Sequence, residues 1–324
     1  MDTRKLIADT ALRIFADACD KACRDRAEAG EFPAALWRLV EENGLNLLGT
    51  PESDTSLGDA CAVLSVAGGR AVPLPLAETL IANRLWTETG RAAFAGVTTI
   101  ALAGADAPWA RASGRVLFVA ANGSTDARLA AAPLETLEVR TGVNLAGEAR
   151  DRVVEPSRMD WVDSPRSYGD VVALLALTRV VMMAGCLETV LGMSIGYAMQ
   201  RKQFGRPIAQ FQAIQHQLAV LAGEAAAARR AADAATERVD DARFVMEVAA
   251  AKARVGEAAG RGAEIAHQVH GAMGFTHEHE LHQFTRRLWA WRDEYGSEAF
   301  WQAHLGRAVA AGGADAAWAF IASH

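Results

Sequence analysis

"RKQFGRPIAQFQAIQHQLA", residues 201–219, decides how the second half of this chain folds. Gly205 can leave helical geometry and Pro207 has no amide proton to give a helix interior. The stretch therefore reads as a sharp corner where one long helix stops and another starts. On either side, residues 170–267 are alanine-rich and apolar at helical spacing, with interruptions only at 204–207 and near 239–242. A bundle of long helices follows. The corner also carries chemistry: Arg201, Lys202 and Arg206 stand beside Phe204 and the amides of Gln203, Gln210, Gln212, Gln215 and Gln217. A guanidinium next to a ring and amides can hold a phosphate oxygen while the ring lies against a flat heterocycle. The same residues suit a solvated basic patch on an ordinary helix corner, and their chemistry alone leaves both readings open.

Upstream of the bundle the texture changes twice. Residues 2–28 read as one helix, and a second opens near Phe32-Pro33 with Leu36, Trp37, Leu39 and Val40 on one stripe up to Gly44. From about Gly96 to Trp161 the runs TTIALAG, GRVLFVA, LETLEVR and DRVVEPS are short, β-prone and separated by Gly, Asn, Asp and Pro. The expected fold is mainly α: an N-terminal helical domain over 1–95, a small middle β-domain over 96–166, and a C-terminal four-helix bundle over 167–324.

With 33 Lys plus Arg against 39 Asp plus Glu, the chain has a formal net charge of -6 and no basic block, so a nucleic-acid partner is not expected. The first residues alternate charge with apolar groups, and the longest apolar run, VVALLAL at 171–177, is too short to span a bilayer, so no membrane role is expected. Four scattered cysteines, Cys19, Cys23, Cys61 and Cys186, point to a reducing, cytoplasmic compartment and to packing rather than disulfides.

A second stretch, HQVHGAMGFTHEHELHQF at 267–284, holds five of the eight histidines. A zincin helix needs His-Glu-x-x-His, but His279-Glu280-Leu281-His282 comes one residue short and Gln283 stands where the second histidine is required, so no metal site is expected. Gly271 and Gly274 instead suggest a turn that lets main-chain amides approach a phosphate. Thr276 reads as a helix cap, and the histidines as groups at a solvated turn, with His270 possible to place near a ligand.

Together these stretches resemble the acyl-CoA dehydrogenase family. Its signature Arg-x-x-Phe-Gly-x-Pro-Ile followed by Phe-Gln-x-x-Gln is similar to 201–215, and its Gln-x-x-Gly-Gly-x-Gly-Phe turn is similar to 268–275. The resemblance implies FAD as cofactor, reached across a subunit interface. By it, Arg201 and Gln203 face the pyrophosphate, Phe204 lies against the adenosine end, Ile208 is a further cofactor-binding position, and Gln212 adds a polar contact. Gln268, Gly271 and Ala272 approach from the opposite side, Ala272 replacing the usual second glycine.

The family removes the α-proton of an acyl-CoA thioester while the β-hydride passes to flavin, giving a 2-enoyl-CoA. Its usual base is a glutamate in a Tyr-Glu-Gly-Thr-like loop. Counted without gaps, that place falls on Tyr295 in "WRDEYGSEAF", one residue after Glu294, which becomes the candidate base. Some members take the base from the first long bundle helix, but VVALLALTRVV carries only Arg179, which is expected to pair internally with Asp170 or with a neighbouring chain. The flavin-wrapping loops of full-length members are missing from 96–161. Shortened chains of this kind resemble the small subunits of heteromeric steroid-degrading acyl-CoA dehydrogenases. That implies a homo-oligomer or an α2β2 heterotetramer, an acyl-CoA substrate that includes bulky steroid-derived ones, and electron-transfer flavoprotein as acceptor. The alternative is a non-catalytic subunit that completes a partner's FAD site.

Overall fold

In the computed structural model, which describes residues 3–123, 125–313, 315 and 317–322, the chain is mostly helical with a small sheet region and a C-terminal helical unit. It divides into two compact units after Thr178.

The first unit opens with α1 (Thr3–Ala18) and α2 (Lys21–Glu28), not with one helix over 2–28. Asp20 makes the break: its carboxylate accepts the amide of Cys23 at 2.7 Å, an N-cap that starts a new helix. Helix α3 (Ala34–Glu42) buries Leu36, Trp37 and Val40, and α4 (Leu57–Gly69) begins at a capping box of Ser56 and Asp59. Helix α5 (Leu76–Thr87) lies against β1 (Thr98–Leu102), fastened by the Thr79 hydroxyl donating to Thr98 O at 2.7 Å.

Strands β2 (Ala107–Pro108), β3 (Arg115–Asn122), β4 (Asp126–Pro133), β5 (Val139–Arg140), β6 (Arg150–Val153) and β7 (Val162–Ser167) complete two small sheets, ordered β1-β3-β4-β7 and β2-β6-β5. β1 and β3 run parallel, and β3, β4 and β7 antiparallel. Three strands of this region, β2, β4 and β7, escaped the sequence pattern. β4 is alanine-rich, and its pairing to β3 and β7 overrides a helical composition. β7 contains Pro165, tolerated because it is an edge strand. All four cysteines are free and buried.

Helix α6 (Tyr168–Gln200) starts at a second reciprocal box, in which Ser167 Oγ accepts the Asp170 amide and Asp170 accepts the Ser167 amide. Asp170 is thus committed to a helix start and does not pair with Arg179. α6 is long and apolar enough to cross a membrane by length and composition, yet 89% of its most apolar window is buried within the protein, the pattern of a core helix.

The second unit carries the rest of α6, then β8 (Lys202–Gln203), β9 (Arg206–Pro207), α7 (Gln212–Glu237), α8 (Phe244–His270), α9 (Leu281–Asp293), α10 (Glu298–Gly312) and α11 (Ala317–Ala322). Helix α8 is the axis, packed by α7, α9 and α10. Gly262 on α8 is where neighbours come closest: a Cβ there would stand 2.6 Å from Leu187 Cδ2 and 3.2 Å from Leu221 Cδ1. On the α7–α8 seam Glu224 is buried and bridged by Arg254 and Arg261, the latter at 2.9 Å.

Candidate functional site

α6 stops at Gln200, and the corner after it is a β-hairpin rather than a bare helix break. Lys202 and Gln203 pair antiparallel with Pro207 and Arg206 across a two-residue turn, Phe204-Gly205, with φ of 52° and 79°. Two consecutive positive φ values match the right-handed strand twist of a tight hairpin, but only Gly205 adopts them freely. Phe204 is a bulky residue in left-handed backbone, and its side chain is 94% exposed. Its ring meets Phe211 edge to face at 6.2 Å, and the Arg206 guanidinium lies 4.4 Å above Phe211.

The hairpin rests on an apolar plug. Ile208 is buried with Ala198 at the end of α6 and Val269 at the end of α8, covered by Tyr197, Phe211, Ile214 and Ile265. That plug brings the two sequence motifs together at one end of this unit. Arg201, Gln203, Phe204 and Gln212 are exposed on the α6–α7 side of it, and Gln268, Gly271 and Ala272 on the α8 side. Within one chain both stretches border the same apolar cluster.

Gly271 ends α8 with φ 59° and ψ -144°, a region open essentially to glycine alone, while a Cβ there would touch nothing within 4 Å. Gly274 has the opposite need: its φ is ordinary, but a Cβ would lie 3.0 Å from both His270 Cβ and Leu281 Cδ2. Ala272 has no positive φ, so the missing second glycine carries no backbone penalty.

Of the five histidines only His277 is exposed: His267 and His270 are buried, and His279 and His282 half-buried. His270 Nδ1 donates to Ala266 O at 2.8 Å and its ring stacks on Tyr197 at 4.5 Å. His267 Nε2 meets Thr285 Oγ1 at 2.8 Å and stacks on Phe275 at 4.3 Å. Thr276 does not cap α9; its hydroxyl donates to Met273 O, and His279 Nδ1 accepts the Leu281 amide at 3.1 Å instead. Among the described residues, no group of three or more His, Cys, Asp and Glu is arranged to hold a metal.

Glu294 lies at the far end of α9, and 13 helical residues put it about 20 Å along the axis from the glycine turn. Its Oε2 accepts from Arg179 Nε at 2.6 Å. The guanidinium is 2% exposed, also reaches Met182 Sδ at 3.6 Å, and stands 5.0 Å over the Tyr295 ring. Tyr295 has φ 57° and Gly296 φ 104°, so the carboxylate is presented from a tightly bent segment.

Residues 171–310 match the family model described as acyl-CoA dehydrogenase, C-terminal domain. This part of the chain is an acyl-CoA dehydrogenase C-terminal domain. The chain is 28% identical over 305 residues to the acyl-CoA dehydrogenase IpdE2 of Mycobacterium tuberculosis (strain ATCC 25618 / H37Rv), covering 88% of this chain and 91% of that one. Among solved structures, the steroid ACAD Tcur3481-Tcur3483 (G363A variant) matches with a TM-score of 0.82 at 20% identity, over 96% of this chain and 98% of that one. The ChsE4-ChsE5 complex from Mycobacterium tuberculosis matches at 0.80 and 18%, over 96% and 98%. At such identities these two likenesses speak for the fold.

In this acyl-CoA dehydrogenase C-terminal domain the buried histidines make the glycine turn sensitive to acid. Burial pushes His270 down to about 4, and no donor among the described residues reaches its Nε2. Between about pH 6.5 and 4 the unfolded chain therefore binds a proton that the folded chain refuses. Stability is fully present above that window and falls as pH drops through it, by about 2 kcal/mol at pH 5. His267 and His279, also lowered by burial, add in the same direction. Urea midpoints across this range check it: His270→Phe is expected to flatten the slope, and an unchanged slope would refute the assignment.

Proposed function

We propose that the chain is one subunit of an FAD-dependent acyl-CoA dehydrogenase whose cofactor is held between chains. The observation that carries this is the plugged end of the helical unit, above all Phe204. A phenylalanine at positive φ and 94% exposed has a cost of about 1–3 kcal/mol in backbone strain and leaves a wet ring, which makes sense if a flat partner covers it. The neighbouring groups fit a dinucleotide: the guanidinium of Arg201 and the amides of Gln203, Gln212 and Gln268 for phosphate and sugar oxygens, Ile208 as floor, and Gly271 and Ala272 leaving the main chain approachable. When bound, FAD supplies the hydride acceptor. Glu294 is the group that takes the α-proton of the acyl-CoA.

The steroid ACAD Tcur3481-Tcur3483 and the ChsE4-ChsE5 complex support a heteromeric assembly and bulky, steroid-derived acyl-CoA substrates; the acceptor in this reading is an electron-transfer flavoprotein. One observation favours a second reading. The segment from which some members draw their base and the loop from which most do meet here in the Arg179–Glu294 ion pair. A carboxylate engaged by a buried guanidinium is a poor proton acceptor, so the chain would then complete a partner's FAD site while that partner supplies the base.

The first reading is tested by purifying the chain alone and with candidate partner chains, then measuring native mass and released flavin. Flavin is expected in assemblies of two or more chains and is expected to be lost on Arg201→Ala. Absence of flavin from every assembly overturns it.

A further inference from the structure

Lys252 is the one lysine buried completely among the described residues, at 0% exposure on α8. Its Nζ donates to three main-chain carbonyls: Arg292 O at 2.6 Å, Gly296 O at 2.9 Å and Trp291 O at 3.3 Å. Two of these are orphan carbonyls at the end of α9, which has no further turn to satisfy them. The third lies beyond the bend, so a single amine staples together the two sides of the segment that carries Glu294. A second staple stands opposite: Trp301 Nε1 donates to Tyr295 O at 3.1 Å.

The bend needs such ties. Tyr295 at φ 57° is strained, and Gly296 at φ 104° is hemmed in, since a Cβ there would lie 2.6 Å from Trp301 Nε1 and 2.7 Å from Phe300 Cδ1. Backbone in sparsely populated geometry persists where its surroundings over-determine it, and here they do so next to a candidate catalytic group.

We propose that Lys252 is a positioning residue of this site, its amine holding the 291–296 backbone so that Glu294 is presented in one geometry. The proposal rests on the reading of Glu294 as the base.

The charged groups around the amine are Glu298 of α10, Glu294 and Asp293 at the end of α9, and Arg179 of α6; Arg292 is paired to Glu298 at 2.7 Å. Glu298 reaches this spot because Gly256, one turn along α8, leaves room for its side chain. Burial outweighs the attraction of these carboxylates and pushes Lys252 down to about 8. The sign is then fixed. Opening the segment to water returns the amine toward its ordinary range, so the open form binds more protons between about pH 8 and 10.5, and raising pH through that window favours the closed form.

The test uses hydrogen exchange on the flavin-containing assembly together with steady-state turnover. In Lys252→Met, amides of 293–297 are expected to exchange at least about tenfold faster, flavin content to stay unchanged, and kcat to fall about tenfold with KM within about twofold. Exchange equal to wild type, or faster exchange with undiminished kcat, overturns the positioning role. If the variant does not fold, the wild-type protein decides: protection of the same segment, corrected for intrinsic rate, is expected to rise about tenfold from pH 7 to 9, and a flat or falling series overturns the proposal. A Glu294→Gln enzyme with normal turnover would instead overturn the base assignment and leave the exchange result standing, so the two failures are distinguishable.

Discussion

Replacing Glu294 by Gln in the assembled, flavin-containing enzyme is expected to lower kcat for an acyl-CoA by about 10²–10⁴-fold with little change in KM. The amide has the same shape, keeps an oxygen to accept from Arg179, and cannot take up a proton. Binding and folding should therefore survive while proton removal fails. Flavin content is the control and should match wild type, whereas the unfolding midpoint is expected to fall, because the buried Arg179 cation loses its counter-charge. Turnover equal to wild type would place the base on another chain and leave this one as the cofactor-completing subunit.

The second large effect is on stability. Arg179→Met is expected to destabilise the protein by about 3–5 kcal/mol, read as a drop in the denaturant midpoint at unchanged slope. The guanidinium is 2% exposed and Glu294 18% exposed. Removing the cation leaves a carboxylate partly out of water beside an apolar methionine, and also removes the contact over the Tyr295 ring. The double variant Arg179→Met, Glu294→Gln should recover part of the loss, because it removes the stranded charge as well as its partner. A double variant as unstable as Arg179→Met alone would show that the arginine acts through packing rather than through the pair.

How much of this was legible in the sequence depended on how local the physics was. The long helices α6, α7 and α8 and the interruption at 204–207 follow from apolar spacing and from Gly205 and Pro207. The hairpin did not, because two residues per strand are too few to alternate and because phenylalanine is an unexpected occupant of positive φ. The break at Asp20 was there to be read as a cap, but apolar spacing runs on through it. Histidine burial was illegible for another reason: the same residues serve a wet turn or a packed one, and the packing partners of His270 and His267, Tyr197 and Thr285, come from other helices.

The surroundings of Glu294 show the limit most clearly. Arg179 and Glu294 are 115 residues apart, and the sequence marked the first as a charge needing a partner and the second as a candidate base, without pairing them. Lys252 did leave a signal. It is a lone cation in the apolar stripe of Val248, Ala249, Val255 and Ala259, all buried, and a charge at that spacing within a helix core asks for polar atoms at its tip. Those atoms proved to be main-chain carbonyls, which no residue pattern announces.

The Phe204 hairpin has a consequence for how such chains diverge. On the proposed reading, in which a cofactor held between chains covers the strained, exposed Phe204 ring, selection on position 204 comes more from the assembly than from the fold. In a descendant that no longer assembles, nothing would oppose drift toward asparagine or glycine, which sit at that turn without strain. If the proposed sharing of cofactor between chains holds, the residue at this position is a marker of it.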